Sequence, residues 1–168
     1  SDPDAAISYV EKITDAGEKD RFVPDVAERW ARRDSASAQA AAEWVSGQVD
    51  GDGKDRATGS VVEAWMRSDP TAASTWLGDQ PAGSAKDQGI IALLNDRQLR
   101  EDPGTAVVWA DSISDEDQRS EQVQRSARRW LASDRESAVE YIESSQSLNA
   151  EQKSGLINLT PEELVPRD

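Results

Sequence analysis

Residues 65–76 read WMRSDPTAASTW, and partial copies of this phrase return along the whole chain. The central part, Asp-Pro-x-Ala-Ala-x-x-Trp, recurs about every 33 residues, with its leading Asp at positions 2, 34, 69, 102 and 134. Two of the copies, those at positions 34 and 134, lack the proline. Self-similarity at a period of this size is typical of repeat architectures, so the units predicted are approximately 1–33, 34–68, 69–101, 102–133 and 134–168.

Aromatic side chains occupy two positions of the repeat. The first position holds Tyr9, Trp44, Trp76, Trp109 and Tyr141, and the second holds Trp30, Trp65 and Trp130, with Gln98 in its place in the third unit. A large aromatic at the same place in every unit is what a stacked core needs, so we predict that these eight residues are structural anchors. The alternative, a stacking platform for sugars or bases, requires exposed rings.

Each unit is predicted to form two helices. Asp2, Asp69 and Asp102 each precede a proline, and Asp at the N-cap with Pro at the first helical position is a helix-start signal. An alanine four residues past the Asp, such as Ala73, allows another helix to approach closely. The second helix opens with a charged tag that we expect to be solvent-exposed: Lys19-Asp20-Arg21, Lys54-Asp55-Arg56 and Lys86-Asp87-Gln88.

The short links between these helices require antiparallel neighbours, and no stretch predicts a strand. The expected fold is therefore all-α: a right-handed α-solenoid of about five antiparallel helix pairs in a single domain. The predicted helices span 3–15, 19–33, 35–48, 54–67, 70–78, 84–100, 103–112, 116–132, 135–145 and 150–159.

The phrase Trp-x-x-x-Asp-Pro-x-Ala-Ala-x-x-Trp, together with a Gly-x-x-(x)-Asp-Arg loop, resembles tandem helical repeats of bacterial proteins of unassigned function. These repeats are similar to the tetratricopeptide and Sel1-like solenoids, although the Trp-x-x-Leu-Gly-x-x-Tyr phrase of the tetratricopeptide family is absent. No peptide-contacting position of that family can therefore be carried over. The resemblance covers essentially the whole chain and implies a protein-interaction scaffold.

Composition narrows the functions that the chain can have. It contains no His and no Cys, which excludes Ser-His-Asp and Cys-His catalysis, disulfides and the usual zinc ligands. The net charge of −14 disfavours nucleic acid and anionic lipid as partners. No apolar run is long enough to span a membrane. We expect no cofactor, and a protein or peptide as the partner.

The chain begins in mid-motif without an initiator Met, so we expect a mature form or a fragment of a longer protein. The compartment is not determined by the sequence, but we favour a periplasmic or secreted location over the cytoplasm.

Two charged segments are secondary candidates for binding sites. Asp50, Asp52 and Asp55 are candidates for weak calcium binding, but the segment departs from an EF-hand because Gln48 and Gly59 stand where carboxylates are required. We favour a solvated turn there. Arg125, Arg128 and Arg129 form a basic patch that we interpret as a solvated helix face, with a groove for an acidic peptide as the less favoured alternative.

Three functions remain open. The first is a non-enzymatic scaffold that binds a protein or peptide along a concave side. The second is a carboxylate-dependent hydrolase of the glycoside type, which needs two acids in a cleft. The third is a structural or regulatory spacer within a larger protein. We favour the first.

Overall fold

The computed structural model describes residues 3–164, and all regular structure in that range is helical. The twelve helices of this range are α1 Pro3–Lys12, α2 Ala16–Ala31, α3 Ser35–Ser46, α4 Asp52–Met66, α5 Pro70–Asp79, α6 Ser84–Leu94, α7 Arg97–Glu101, α8 Pro103–Asp111, α9 Glu116–Ser133, α10 Arg135–Ser144, α11 Ala150–Ile157 and α12 Pro161–Leu164. No strand occurs between residues 3 and 164, so the prediction of an all-α protein is confirmed.

The chain divides into two compact units, Ser1–Leu93 and Leu94–Asp168. In the first unit α2 packs against α1, α3 and α4, while α4 also contacts α3 and α5. In the second unit α9 is central and contacts α8, α10, α11 and α12. Most of these helices therefore pack on helices that lie one or two places away in the chain, whereas α12 packs on α9, three places away. The division at Leu93 falls inside the third predicted repeat.

Aspartate caps start the first helix of successive repeats. The carboxylate oxygens of Asp69 and Asp102 accept hydrogen bonds from amides in the first turns of α5 and α8, and a proline follows each cap as predicted. Asp34 and Asp134 cap α3 and α10 in the same way without a proline. Asp2 lies outside the described residues. The hydroxyl and the amide of Thr105 lower the pKa of Asp102, because both stabilise its charged form.

The repeated alanine does bring helices together. Ala73 and Ala138 are completely buried, as is Ala41, which holds this place in the second repeat when counted back three residues from Trp44. Ala106 is 1% exposed, whereas Ala6 in the first repeat is half-buried. The larger side chains of the core are mainly Val, Leu and Ile, including Val61 and Leu77 in the first compact unit and Val123 and Ile142 in the second. A methyl group at the crossing points leaves room for these larger groups to interdigitate.

The largest departure from the predicted helices is in the third repeat. The span 84–100 is interrupted: α6 ends at Leu94, and Asp96 caps a separate short helix by accepting a hydrogen bond from the amide of Gln98 at 2.8 Å. Asn and Asp side chains compete for backbone hydrogen bonds and so favour such an interruption. Gln98 is exposed at the position where the first, second and fourth repeats have a half-buried or buried tryptophan. The third repeat therefore lacks an indole that would pack this part of the helix against its neighbours.

A proline in α2 explains a contact between two repeats. Pro24 lies inside α2 and has no N–H, so the carbonyl oxygen of Asp20 cannot be used by the helix at that position. Arg56 of α4 donates to that oxygen through Nη2 at 2.9 Å. At the same crossing Gly53 of α4 lies so close that a Cβ on it would be 2.6 Å from the Cα of Asp20.

The charged tags are therefore contact points between repeats, and the expectation that they are solvated is wrong in part. Asp87 is only 2% exposed. Asp55 accepts a hydrogen bond from Ser84 Oγ of the next repeat at 3.0 Å, and Asp20 is half-buried. Lys54 and Lys86 are also half-buried.

Candidate functional site

The two aromatic positions of the repeat meet each other. The second aromatic of one unit lies against the first aromatic of the next, with ring centroids 6.5 Å apart for Trp30 and Trp44, 6.2 Å for Trp65 and Trp76, and 5.7 Å for Trp130 and Tyr141. These distances are within the range of favourable aromatic pairing. The third junction has no such pair within the described residues, because Gln98 stands where Trp109 would find its partner.

The burial of these rings is not uniform. Trp65 is 2% exposed, and the other five tryptophans are half-buried. Tyr141 is also half-buried, but Tyr9 is 54% exposed and packs edge-on against Phe22, so it does not serve as a buried anchor. A half-buried indole has one part in the helix packing and another that solvent or a ligand can reach.

Trp65 also connects two helix starts through hydrogen bonds. Its indole Nε1–H donates to Ser35 Oγ at 3.0 Å, and that hydroxyl donates to Asp69 Oδ2 at 3.3 Å. The first residue of α3 is thereby linked to the capping residue of α5. Trp44 lacks an equivalent link: its Nε1–H is buried and has no hydrogen-bond partner among the described residues.

An analogous polar contact occurs in the second unit. The hydroxyl of Tyr141 on α10 donates to Asp111 Oδ2 on α8 at 2.5 Å. Partial burial, and then this hydrogen bond to a carboxylate, raise the pKa of Tyr141 above the usual range of a phenol. The contact joins the first helices of successive repeats.

The first unit contains an open groove of about 420 Å³, at the ends of α3 and α5 and the starts of α4 and α6. We call it the Trp76 groove. Its lining consists of Ser46, Asp50, Lys54, Thr58, Trp76, Gln80 and residues 81–86. The volume lies at the lower end of the range for ligand pockets, and the lining combines one indole with several polar groups.

One wall of the Trp76 groove is held by a hydrogen bond between the second and third repeats and by three further bonds within the third repeat. Ser46 Oγ donates to Gln80 Oε1 at 3.2 Å, while Gln80 Nε2 donates to the carbonyl of Trp76 at 3.1 Å. Lys86 Nζ donates to the carbonyls of Gly78 and Gln80 at 2.8 and 2.9 Å. The turn between α5 and α6 is thus tied to α3 and to its own helix before any ligand is present.

The opposite wall carries a second lysine and, among residues 3–164, the only carboxylate in the lining. Lys54 Nζ contacts Asp50 Oδ1 at 2.8 Å, and this hydrogen bond together with the lysine charge lowers the pKa of Asp50. An ammonium group has three donors, so Lys54 and Lys86 can each make a further hydrogen bond to a ligand. Gly83 in the adjoining turn has φ +149°, a conformation that other residues rarely adopt.

The calcium candidates do not assemble. Asp50 is paired with Lys54, Asp55 accepts from Ser84 Oγ, and Asp52 is the first residue of α4. Within residues 3–164 no group of three or more acidic, histidine or cysteine side chains is placed to hold a metal ion. The same range contains no helix long and apolar enough to cross a membrane.

Sequence reasoning identified the helices that surround the groove but missed the groove itself. Lys86 belongs to a charged tag that the sequence indicated, whereas Gln80 and Gly83 lie in the link between the predicted helices 70–78 and 84–100. A signal was present in the repeated loop composition, but which loops meet depends on the packing of residues more than 30 positions apart, as for Ser46 and Gln80.

No protein-family model, no curated protein and no solved structure matches this chain.

Proposed function

We propose that this protein is a non-enzymatic scaffold of helical repeats that binds a segment of a protein or peptide in the Trp76 groove. The observation that carries the proposal is the groove itself, whose lining includes a half-buried indole and two lysines. The packing of most helices on helices one or two places away in the chain also supports a tetratricopeptide-like α-solenoid, the architecture that the repeat phrase resembles.

The lining indicates the kind of segment that fits. The ring of Trp76 rests on Trp65 at a centroid distance of 6.2 Å, so its remaining surface can cover one apolar side chain without rearranging. Lys54 and Lys86 can donate to a backbone carbonyl or a carboxylate beside that side chain. We therefore propose a segment that places an apolar residue next to an acceptor group, and not a basic segment.

A hydrolase of the glycoside type receives no support from the groove. Glycoside cleavage requires two carboxyl groups with different roles, whereas Asp50 is the single carboxylate that the described part of the chain contributes to the lining. Its hydrogen bond to Lys54 lowers the pKa of Asp50, which is opposite to what a general acid needs.

The test is a selection of binding peptides from a random displayed library, with a variant that fills the groove. Ala82 is exposed and lines the groove, so A82W would place an indole in the space without touching the core. Val108 is 67% exposed on α8 and is not a lining residue, so V108W adds the same group elsewhere in the chain as the matched control.

We expect selected peptides to bind the wild type and V108W equally and to bind A82W at least about tenfold more weakly. Failure to enrich any peptide, or equal binding to A82W, would contradict the proposal.

A further inference from the structure

In the first compact unit, the helix positions two residues before and two residues after the second aromatic of each repeat carry opposite charges. An acid lies two residues before the tryptophan and an arginine lies two residues after it, so the two are one helical turn apart. The resulting ion pairs are Glu28 with Arg32 and Glu63 with Arg67. In these two repeats the arginine charge is neutralised within its own helix.

The second unit departs from this pattern. Asp96 occupies the acidic position of the third repeat, but its carboxylate caps α7 by accepting from the amide of Gln98. Arg100, at the arginine position, has no ion pair or side-chain hydrogen bond within residues 3–164. In the fourth repeat the acidic position is itself an arginine, Arg128, which donates to the carbonyl of Glu163.

Two further arginines lie on one face of α9. Arg125 and Arg129 are four residues apart, so their side chains are neighbours. Neither guanidinium has an ion pair or hydrogen bond to any side chain or carbonyl that the structure describes. Partial burial lowers the pKa of Arg129, and the positive charges of Arg125 and Arg100 lower it further. We refer to Arg100, Arg125 and Arg129 as the arginine cluster.

Arg129 is repelled by both Arg125 and Arg100, and none of the three guanidiniums forms an ion pair within residues 3–164, so the cluster does not stabilise the fold. They occur in a chain with 33 acidic residues, in which nearby carboxylates could have neutralised them as in the first unit. A guanidinium presents a planar fork of donors that matches a carboxylate. An external anion would remove the repulsion and satisfy these donors.

We propose that the arginine cluster binds an acidic segment of a partner protein in an extended conformation, with Asp or Glu at alternate positions. Four residues of α9 rise about 6 Å. Alternate side chains of an extended chain lie on one side and are spaced about 6.6 Å apart, so two carboxylates can meet Arg125 and Arg129 together. This interaction goes beyond the Trp76 groove and does not depend on it.

A short acidic segment suits the cluster better than a nucleic acid does. Charges at the surface are screened beyond about 8–10 Å at moderate salt, so a segment of a few residues interacts mainly with the three arginines. A nucleic acid extends past them and meets a surface whose net charge is −14, where its phosphates are repelled.

The experiment measures fluorescence anisotropy of a labelled peptide of alternating Glu and Ser, titrated with the whole chain at several salt concentrations. A peptide with Gln in place of Glu is the ligand control. Arg125→Gln and Arg129→Gln are the test variants. Arg32→Gln is the matched control, since it removes the same charge from an arginine already paired with Glu28.

We expect the Glu peptide, and not the Gln peptide, to bind, and each test variant to weaken binding about tenfold, the loss of one charge-assisted contact. R32Q should change the affinity less than about twofold, and A82W should leave it unchanged. Binding should weaken as salt is raised.

Urea unfolding of Arg129→Gln distinguishes a binding role from a structural one. Removing one of three like charges should leave stability equal to or above that of the wild type, while peptide affinity falls. Any of four results would overturn the proposal: no binding of the Glu peptide, equal losses in R32Q and R125Q, tighter binding of single-stranded DNA than of the peptide, or dimers that dissociate in R125Q.

Discussion

Two glycines of α4 should respond in opposite ways to the same substitution. Gly53 and Gly59 lie six residues apart in one helix, and alanine is preferred over glycine in a helix interior by about 1 kcal/mol. A Cβ at Gly59 would meet the carbonyl oxygen of Gln88 at 3.4 Å, which is ordinary contact. G59A should therefore stabilise the first unit by about 0.5–1 kcal/mol.

At Gly53 the added carbon would lie 2.6 Å from the Cα of Asp20. Carbon atoms in contact are separated by about 3.5–4.0 Å, so α2 and α4 would have to move apart by about 1 Å. That movement would also lengthen the hydrogen bond from Arg56 to the Asp20 carbonyl. Overpacking of this kind costs about 1–3 kcal/mol, which exceeds the gain in helix propensity. We expect G53A to be less stable than the wild type by up to about 2 kcal/mol.

Urea denaturation followed by circular dichroism at the helical band compares the two variants with the wild type. The expected result is a lower midpoint for G53A, a higher one for G59A and the same dependence on urea for all three. If G53A were as stable as the wild type or more stable, the close crossing of α2 and α4 would be refuted.

Three further predictions concern titration and the indoles. Because its hydrogen bonds lower the pKa of Asp102, its charged form stabilises the fold fully above the unfolded value of 3.8, and this contribution is lost as pH falls below it. At neutral pH the wild type should be more stable than D102N by about a few tenths of a kcal/mol, and this difference should vanish in acid. A difference that stayed constant with pH would contradict this. The raised pKa of Tyr141 predicts that its phenol ionises at higher pH than a free tyrosine in an ultraviolet titration. D111N should lower the pH of this ionisation, and an unchanged titration curve would contradict the role of Asp111. In urea unfolding, W65F should lower the free energy of unfolding by at least about 1 kcal/mol more than W44F does. The reason is that W65F removes a hydrogen bond, whereas W44F removes a buried N–H that has no partner among the described residues. Equal losses would show that the hydrogen bond of Trp65 does not contribute to stability.

The sequence by itself predicted the local features of the fold. The caps at Asp69 and Asp102, the buried alanines such as Ala73 and the two helices of most repeats follow from interactions within four or five residues. Because such interactions involve only near neighbours in the chain, their signals can be read from one unit and checked against the next.

Only the tertiary structure decided where repeats meet and which charges stay unpaired. The Trp76 groove depends on Ser46 and Gln80, which are 34 residues apart, and Arg56 reaches a carbonyl in α2 across 36 residues. At Arg100 the expected acidic partner, Asp96, caps α7 and makes no ion pair, which leaves that member of the arginine cluster unpaired within residues 3–164. Each of these contacts depends on how distant helices pack, and a repeat period does not specify which side chains meet at that packing surface.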